Sequence, residues 1–149
     1  MNRTRRSFLA LVVLSVTVTG VSLAQVASRA VVTSHSSLKW SDAGIPGVST
    51  SVVEGDLSKG PSHFYLKYAA GFVAPVHHHS PDHYVTTVAG TLVLIMDGKE
   101  QRLAPGSYFA LTGKASHAAR CEGSEDCVMF VQALGPWDVV PEKAATASH

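Results

Sequence analysis

Charged residues are scarce in this sequence, and neither sign dominates. They make up 15% of the 149 residues, with 12 lysines and arginines against 11 aspartates and glutamates. Proteins that bind nucleic acids usually carry a marked basic excess, so this balance argues against a nucleic-acid partner. Hydrophobic residues reach 46%, which excludes an intrinsically disordered chain and is enough for one hydrophobic core.

Internal repeats, low-complexity tracts and a long hydrophobic run are also missing. The apolar run Leu9 to Val18 is shorter than the ~20 residues that a membrane-spanning helix needs. It follows the basic residues Arg3, Arg5 and Arg6 and leads to small residues near Ala24. We therefore expect residues 1–24 to be a cleaved signal peptide, with no stable membrane span after cleavage.

The leader indicates the route of export. Its segment Thr4-Arg5-Arg6-Ser7-Phe8-Leu9 resembles the twin-arginine signal of bacterial proteins, and an ordinary basic region of the general secretory route is the alternative. Either route predicts a periplasmic or secreted protein. Cleavage removes three arginines and leaves nine basic against eleven acidic residues, a net charge of −2.

Cysteine is rare, with only Cys121 and Cys127 in the chain. Five polar, turn-forming residues separate them, and strand-like segments flank the pair. They could face each other across a hairpin, and an oxidising compartment would favour a disulfide between them. Two free thiols are the alternative.

The remaining sequence predicts one domain of strands. Residues 25–37 show no clear period and 142–149 are small and polar, so we expect an N-terminal extension and a flexible tail around a domain at 38–141. Glycine and proline turn signals recur at spacings typical of an antiparallel sandwich or barrel, and Asp97-Gly98 indicates a tight hairpin. The predicted strands are 63–68, 84–88, 91–96, 101–103, 107–111 and 127–132.

Histidine is the residue type that points to chemistry. In an extended chain, His77 and His79 would face one side and His78 the other, so the first two could share a metal ion. A turn at 80–82 would bring His83 back to them, and a second strand would supply His117. A disordered chelating tract is the alternative, but these histidines lie between glycine and strand signals rather than in a low-complexity run.

Two stretches of the sequence resemble the paired motifs of the cupin family. The first reads Gly71-x5-His77-x-His79-x3-His83-x6-Gly90, and the second reads Gly106-x5-Thr112-x-Lys114-x2-His117. The resemblance covers Leu38 to Pro141. It implies a single-domain jelly-roll β-barrel with one divalent transition metal inside, and often a homodimer.

The resemblance assigns the metal ligands by position. His77, His79 and His117 take the usual histidine places, whereas His83 stands where the family normally has glutamate. Four neutral ligands would leave a divalent ion its full charge. Iron, copper or manganese fit such a site, and zinc or nickel are possible. We also expect Asp82 to orient a ligand from the second shell, although turn formation is the simpler role.

Three functions fit this sequence. The first is a metal-dependent oxidoreductase of dioxygenase type, with a small organic or carbohydrate substrate. The second is a non-catalytic periplasmic cupin that binds a metal or a small ligand. The third is an isomerase or lyase, which would need a proton shuttle, for which Tyr84, His63 and Tyr65 are the candidates.

Overall fold

The computed structural model describes residues 29–142. The predicted leader 1–24 and residues 143–149 of the predicted tail lie outside this range. The one helical element described is a 3-10 turn at His35–Ser37. Within 29–142, no helix combines the length and the hydrophobicity needed to cross a bilayer.

The described chain is built from antiparallel strands in two sheets, so the predicted all-β jelly-roll fold is confirmed. The strands are β1 (Ser41–Asp42), β2 (Val48–Gly55), β3 (Ser62–Tyr68), β4 (Val73–His78), β5 (His83–Ala89), β6 (Thr91–Met96), β7 (Lys99–Leu103), β8 (Tyr108–Leu111), β9 (His117–Glu122), β10 (Cys127–Ala133) and β11 (Val140–Pro141). One sheet has the order β1-β2-β3-β10-β5-β8, and the other has β11-β4-β9-β6-β7.

Alternation of side chains along the strands places the core between the sheets. In β3 and β10 every second residue is buried, which turns Phe64, Met129 and Val131 inward. Leu92 of β6, 2% exposed, joins the same core from the other sheet. Burying each such side chain stabilises the fold by roughly 1.5–3 kcal/mol.

The predicted hairpin at Asp97-Gly98 joins β6 to β7. Its two residues have φ values of 50° and 70°, and Met96 pairs with Lys99 beside them. Positive φ at both central positions is the geometry of a type I′ turn, for which Asp-Gly is a favoured sequence.

Gly90 allows the chain to cross between the sheets from β5 to β6. Its φ is 71°, and a Cβ there would lie 2.6 Å from the carbonyl oxygen of Asp126. Both the conformation and the close backbone contact therefore require glycine. This gives a physical reason for the last residue of the first motif.

Cys121 and Cys127 form a disulfide with their Cα atoms 5.6 Å apart. The expectation of a link across a hairpin is corrected in one respect. Cys121 lies on β9 and Cys127 on β10, which belong to different sheets and do not pair. The intervening loop carries the chain from one sheet to the other, so the disulfide connects the sheets.

Reducing this disulfide should lower the free energy of unfolding by about 2 kcal/mol, the entropy expected for closing so short a loop. Urea denaturation with and without a strong reductant measures the loss, and the double variant Cys121→Ala/Cys127→Ala should show no further effect of reductant. Labelling of both thiols in unreduced, denatured protein would contradict the prediction.

Candidate metal centre

Four buried histidines meet between the two sheets. His77 lies on β4 and His117 begins β9, and the two residues are direct partners across the antiparallel pair. His79 follows the end of β4, and His83 begins β5 in the opposite sheet. Their side chains are between 3% and 6% exposed. The fold therefore brings together, in the interior, the four histidines that the sequence motifs contain.

A β-bulge sets the register between β4 and β9. Ala74 pairs with Ala119 and His77 with His117, so β4 uses one residue more than β9 over the same stretch. The extra residue falls at Pro75-Val76, where both side chains are exposed. Bulges redirect side chains next to functional sites and tolerate proline. Without the bulge, His77 would point outward and His78 inward.

Three of the histidines form the tightest group. Nitrogen atoms of His77, His79 and His117 lie within 4.8 Å of one another. The His83 ring is outside that group but adjacent to it, 4.7 Å from the ring centre of His79 and 6.3 Å from that of His117. A three-histidine cluster is thus present, and His83 as a fourth ligand stays a prediction.

All four rings use one nitrogen in the same way. Each Nδ1–H donates to a backbone carbonyl. His77 donates to Pro75 at 2.7 Å, His83 to Pro81 at 3.1 Å and His117 to Ala115 at 2.9 Å. His79 makes the same bond with Asp138. A hydrogen bond at Nδ1 fixes the tautomer and leaves the Nε2 lone pair free for a metal. The donor set therefore fits a transition-metal ion.

Burial keeps these imidazoles neutral. Desolvation lowers the pKa of His79 to about 3 and that of His117 to about 4, and it also lowers the pKa of His77 and His83. The carbonyl bonds act in the opposite direction and are the weaker influence. Neutral imidazoles carry the lone pairs that metal binding requires, so no proton has to be displaced near pH 7.

We expect metal-free protein to lose stability as the pH falls from about 6.5 towards 4. Histidine in the unfolded chain has its ordinary pKa of 6.5, whereas burial holds the pKa of His117 near 4. The unfolded state then binds more protons in that window, so acid favours it. Thermal melts of EDTA-treated protein across this range measure the slope, which His117→Asn should flatten. A melting temperature independent of pH over the window would contradict the prediction.

Trp137 completes the site, although the histidine motifs of the sequence do not point to it. Its indole stacks on the His79 ring, with centres 3.9 Å apart and planes at 22°, and meets the His83 ring edge-on at 5.0 Å. The next residue, Asp138, supplies the carbonyl for His79, and its carboxylate accepts hydrogen bonds from the amide and hydroxyl of Ser80 at 2.7 and 2.6 Å. The segment after β10 therefore holds His79 in place.

Asp82 acts on the site through the backbone rather than on a histidine. Its carboxylate accepts a 2.8 Å hydrogen bond from the amide of Gly113, in the turn before His117. Gly113 and Lys114 both have positive φ, at 62° and 60°. The sequence favours glycine alone for that conformation, because lysine is poorly suited to it. The bond from Asp82 helps to hold this strained turn.

The other predicted residues lie elsewhere. His78 points away from the cluster and hydrogen-bonds Glu142 at 2.7 Å, as the period of two predicts. His63 and Tyr65 pack against Phe130 on the outer face of β3, at 6.2 and 5.2 Å between ring centres. Tyr84 occupies an outward position on β5. The three proton-shuttle candidates therefore point away from the histidine cluster.

Two cavities adjoin the histidines. A larger one of about 590 Å³ includes His77 and His79 in its wall, and a small one of about 30 Å³ includes His79, His83 and His117. Trp137 and His79 belong to both walls. Apart from the histidines and Tyr68, the wall of the small cavity is mostly apolar, with Val85, Leu94 and Met129 among its residues. The cluster thus has space for molecules of two very different sizes.

Comparison with known proteins supports this picture. Residues 64–132 match the family model described as a cupin domain. The structure of KdgF from Halomonas sp. is similar, with a TM-score of 0.59 and 20% identity over 72% of this chain and 94% of that one. The polyketide cyclase RemF from Streptomyces resistomycificus has a TM-score of 0.63 and 15% identity, over 80% of this chain and 88% of that one. The DMSP lyase DddQ from Ruegeria pomeroyi has a TM-score of 0.55 and 19% identity, over 67% of this chain and 57% of that one. No curated protein sequence matches the chain. These structural neighbours have low sequence identity and differ in function, so the likeness establishes the fold and not the activity.

Proposed function

Because residues 64–132 form a domain of the cupin superfamily, we propose that this protein is a metal-dependent oxidoreductase of dioxygenase type, acting on a small organic molecule. One observation carries the proposal. Four buried histidines have Nδ1 bonded to backbone carbonyls, which leaves their Nε2 atoms free, and three of them, His77, His79 and His117, are close enough to share one metal ion.

His77, His79 and His117 would hold the ion, with His83 as the fourth ligand in our proposal. A divalent iron, copper or manganese ion in this neutral donor set would supply Lewis acidity and one-electron redox chemistry. The chain's part is to fix the four rings in one tautomer and to keep the site dry with apolar walls. Trp137 supports His79 from one side, and the carbonyl of Asp138 holds its Nδ1.

The two cavities favour a reaction between a small gas and an organic molecule. The small cavity of about 30 Å³ beside the histidines has room for nothing much larger than a diatomic molecule such as dioxygen. The larger cavity has the volume of an ordinary small-molecule site. Both have His79 in their walls, so two reactants could meet beside that histidine.

Isomerase or lyase chemistry has less support in this chain. Two structural neighbours are named as a cyclase and a lyase, so the fold itself permits such reactions. However, Tyr65, Tyr84 and His63 face outward. Tyr68 does line the larger cavity, but burial raises its pKa to about 12, so it stays protonated near pH 7 and is a poor general base.

Export to the periplasm or outside the cell belongs to the same proposal. The disulfide between Cys121 and Cys127 supports it, because such bonds persist in oxidising compartments. We propose that the protein functions there as a homodimer.

The first test is the metal content of untagged protein exported by its own leader, measured by mass spectrometry, followed by dioxygen uptake with phenols, β-diketones, hydroxyketones and sugars. About one equivalent of iron, copper or manganese per chain, together with substrate-dependent oxygen uptake, would support the oxidoreductase. Zinc alone, which favours a closed shell of four such ligands, or metal exchange without turnover would overturn it in favour of a non-catalytic binding cupin.

A further inference from the structure

The larger cavity opens between the free edges of the two sheets. The loop between β1 and β2 contributes Ile45, and the segment before β11 contributes Val139. These side chains are 37% and 42% exposed, which places them at the mouth. Leu66 and Tyr68 of β3 form a deeper part of the wall, and His77 and His79 give access to the metal centre.

Aromatic and aliphatic side chains dominate the wall. Phe72 packs against Tyr68 with ring centres 4.7 Å apart, and Trp137 presents its indole nearer the histidines. The volume of about 590 Å³ falls in the ordinary range for small-molecule sites. Rings bind well to such walls, since stacked or edge-on aromatic contacts add to the apolar area that is buried.

In metal-free protein, the side-chain charges around this cavity disfavour an anion. Of the described residues that line it, none is lysine or arginine. Its two carboxylates, Asp42 and Asp138, already accept hydrogen bonds from Gly44 and from Ser80. An anionic ligand would lose its hydration and gain no cationic side chain in return.

The polar groups are also too few for a sugar. Thr50, Ser58 and Tyr68 are the hydroxyl-bearing residues of the wall. A carbohydrate carries a hydroxyl on most of its carbons, and each one buried without a partner costs binding free energy. One or two polar atoms on a ligand are easier to satisfy, and the neutral imidazoles of His77 and His79 lie where such a group would reach.

We propose that this cavity binds an uncharged aromatic molecule of one or two rings, such as a phenol, with its hydroxyl towards His77 and His79. This proposal names a substrate class for the proposed oxidoreductase. It rests on that function only where it calls the bound molecule a substrate. Binding itself requires the cavity and not the metal.

The test compares three probes at pH 7 by titration calorimetry on EDTA-treated protein. 2-Naphthol is uncharged at this pH, 2-naphthoate has the same rings with a carboxylate, and methyl glucoside is a sugar. We expect 2-naphthol to bind at least about tenfold more tightly than 2-naphthoate, and methyl glucoside to bind more weakly than either. Equal affinity for the first two, or tighter binding of the sugar, would overturn the proposal.

A charge variant sharpens the test. Ile45→Arg places a cation at the mouth and should reduce the preference for 2-naphthol severalfold by improving 2-naphthoate binding. Val73→Arg is the matched control, because Val73 is 62% exposed on β4 and does not line the cavity. Equal changes in both variants would show that the probes bind elsewhere and overturn the proposal. The comparison on unmodified protein decides the matter if Ile45→Arg does not fold.

The same titrations separate the two proposals. Selective 2-naphthol binding in a protein that holds only zinc, or that consumes no dioxygen, would support this inference while the oxidoreductase fails. Oxygen uptake with a sugar or an anionic substrate, in protein that does not bind 2-naphthol, would overturn this inference while the oxidoreductase stands.

Discussion

Replacing His77 with alanine should lower the affinity for metal at least about 100-fold and leave the barrel folded. His77 belongs to the tightest group of three histidines, and its Nδ1 bond to Pro75 aims its other nitrogen inward. Loss of a residue that merely orients a ligand costs about 10–100-fold in affinity, so loss of a ligand should cost more. Metal content after dialysis and calorimetric titration measure the loss, and circular dichroism reports the fold.

His78→Ala is the matched control for that experiment. His78 is the neighbour of His77 on the same strand, but it points away from the cluster and bonds Glu142. Its replacement should leave metal affinity within about twofold. A double variant of His77 and His117 that still holds a full equivalent of metal would reject the site.

Trp137→Ala should lower the free energy of unfolding by about 3 kcal/mol and the affinity for metal about tenfold. The indole packs on Phe64 with ring centres 5.0 Å apart and stacks on His79. Its removal leaves a void beside the core and frees the His79 ring to rotate. Urea denaturation gives the first quantity, and metal titration gives the second.

Trp40 provides the comparison, because it is also half-buried but contacts Lys67 at 4.5 Å, away from the histidines. Trp40→Ala should leave metal affinity unchanged. Trp137→Phe should restore part of the affinity that alanine loses, because an aromatic face against His79 is kept. If both tryptophan variants bind metal as tightly as the original protein, Trp137 does not position His79.

The shared direction of His77 and His79 was predictable because it follows from a local rule. A period of two assigns His77 and His79 to one side and His78 to the other, and the buried and exposed side chains obey that pattern. The Asp97-Gly98 hairpin was predictable for a similar reason, since its two residues suit the positive φ that the turn needs. Both features depend on neighbours in the chain, whereas the place of His117 was expected from its resemblance to the second cupin motif.

Features that depend on distant pairing were not predictable. Strand β2 contains the β-branched residues that strands favour, but polar Thr50 and Ser51 are buried in it, so it shows no clean apolar alternation and its pairing with β3 determines it. The bulge at Pro75-Val76 is visible only against β9. Likewise, the contact of Trp137 with His79 spans most of the domain, and short-range patterns carry no information about it.

The order in which the ribosome delivers the chain bears on how the site is assembled. His79 takes its carbonyl partner from Asp138, and β11 pairs with His77 and His78, so residues near 140 hold histidines that are synthesised some sixty residues earlier. The complete donor set therefore exists only once nearly the whole chain has left the ribosome. If the twin-arginine-like leader exports a folded protein, the choice of metal is made in the cytoplasm, where the compartment's free metal pool sets which ion is trapped.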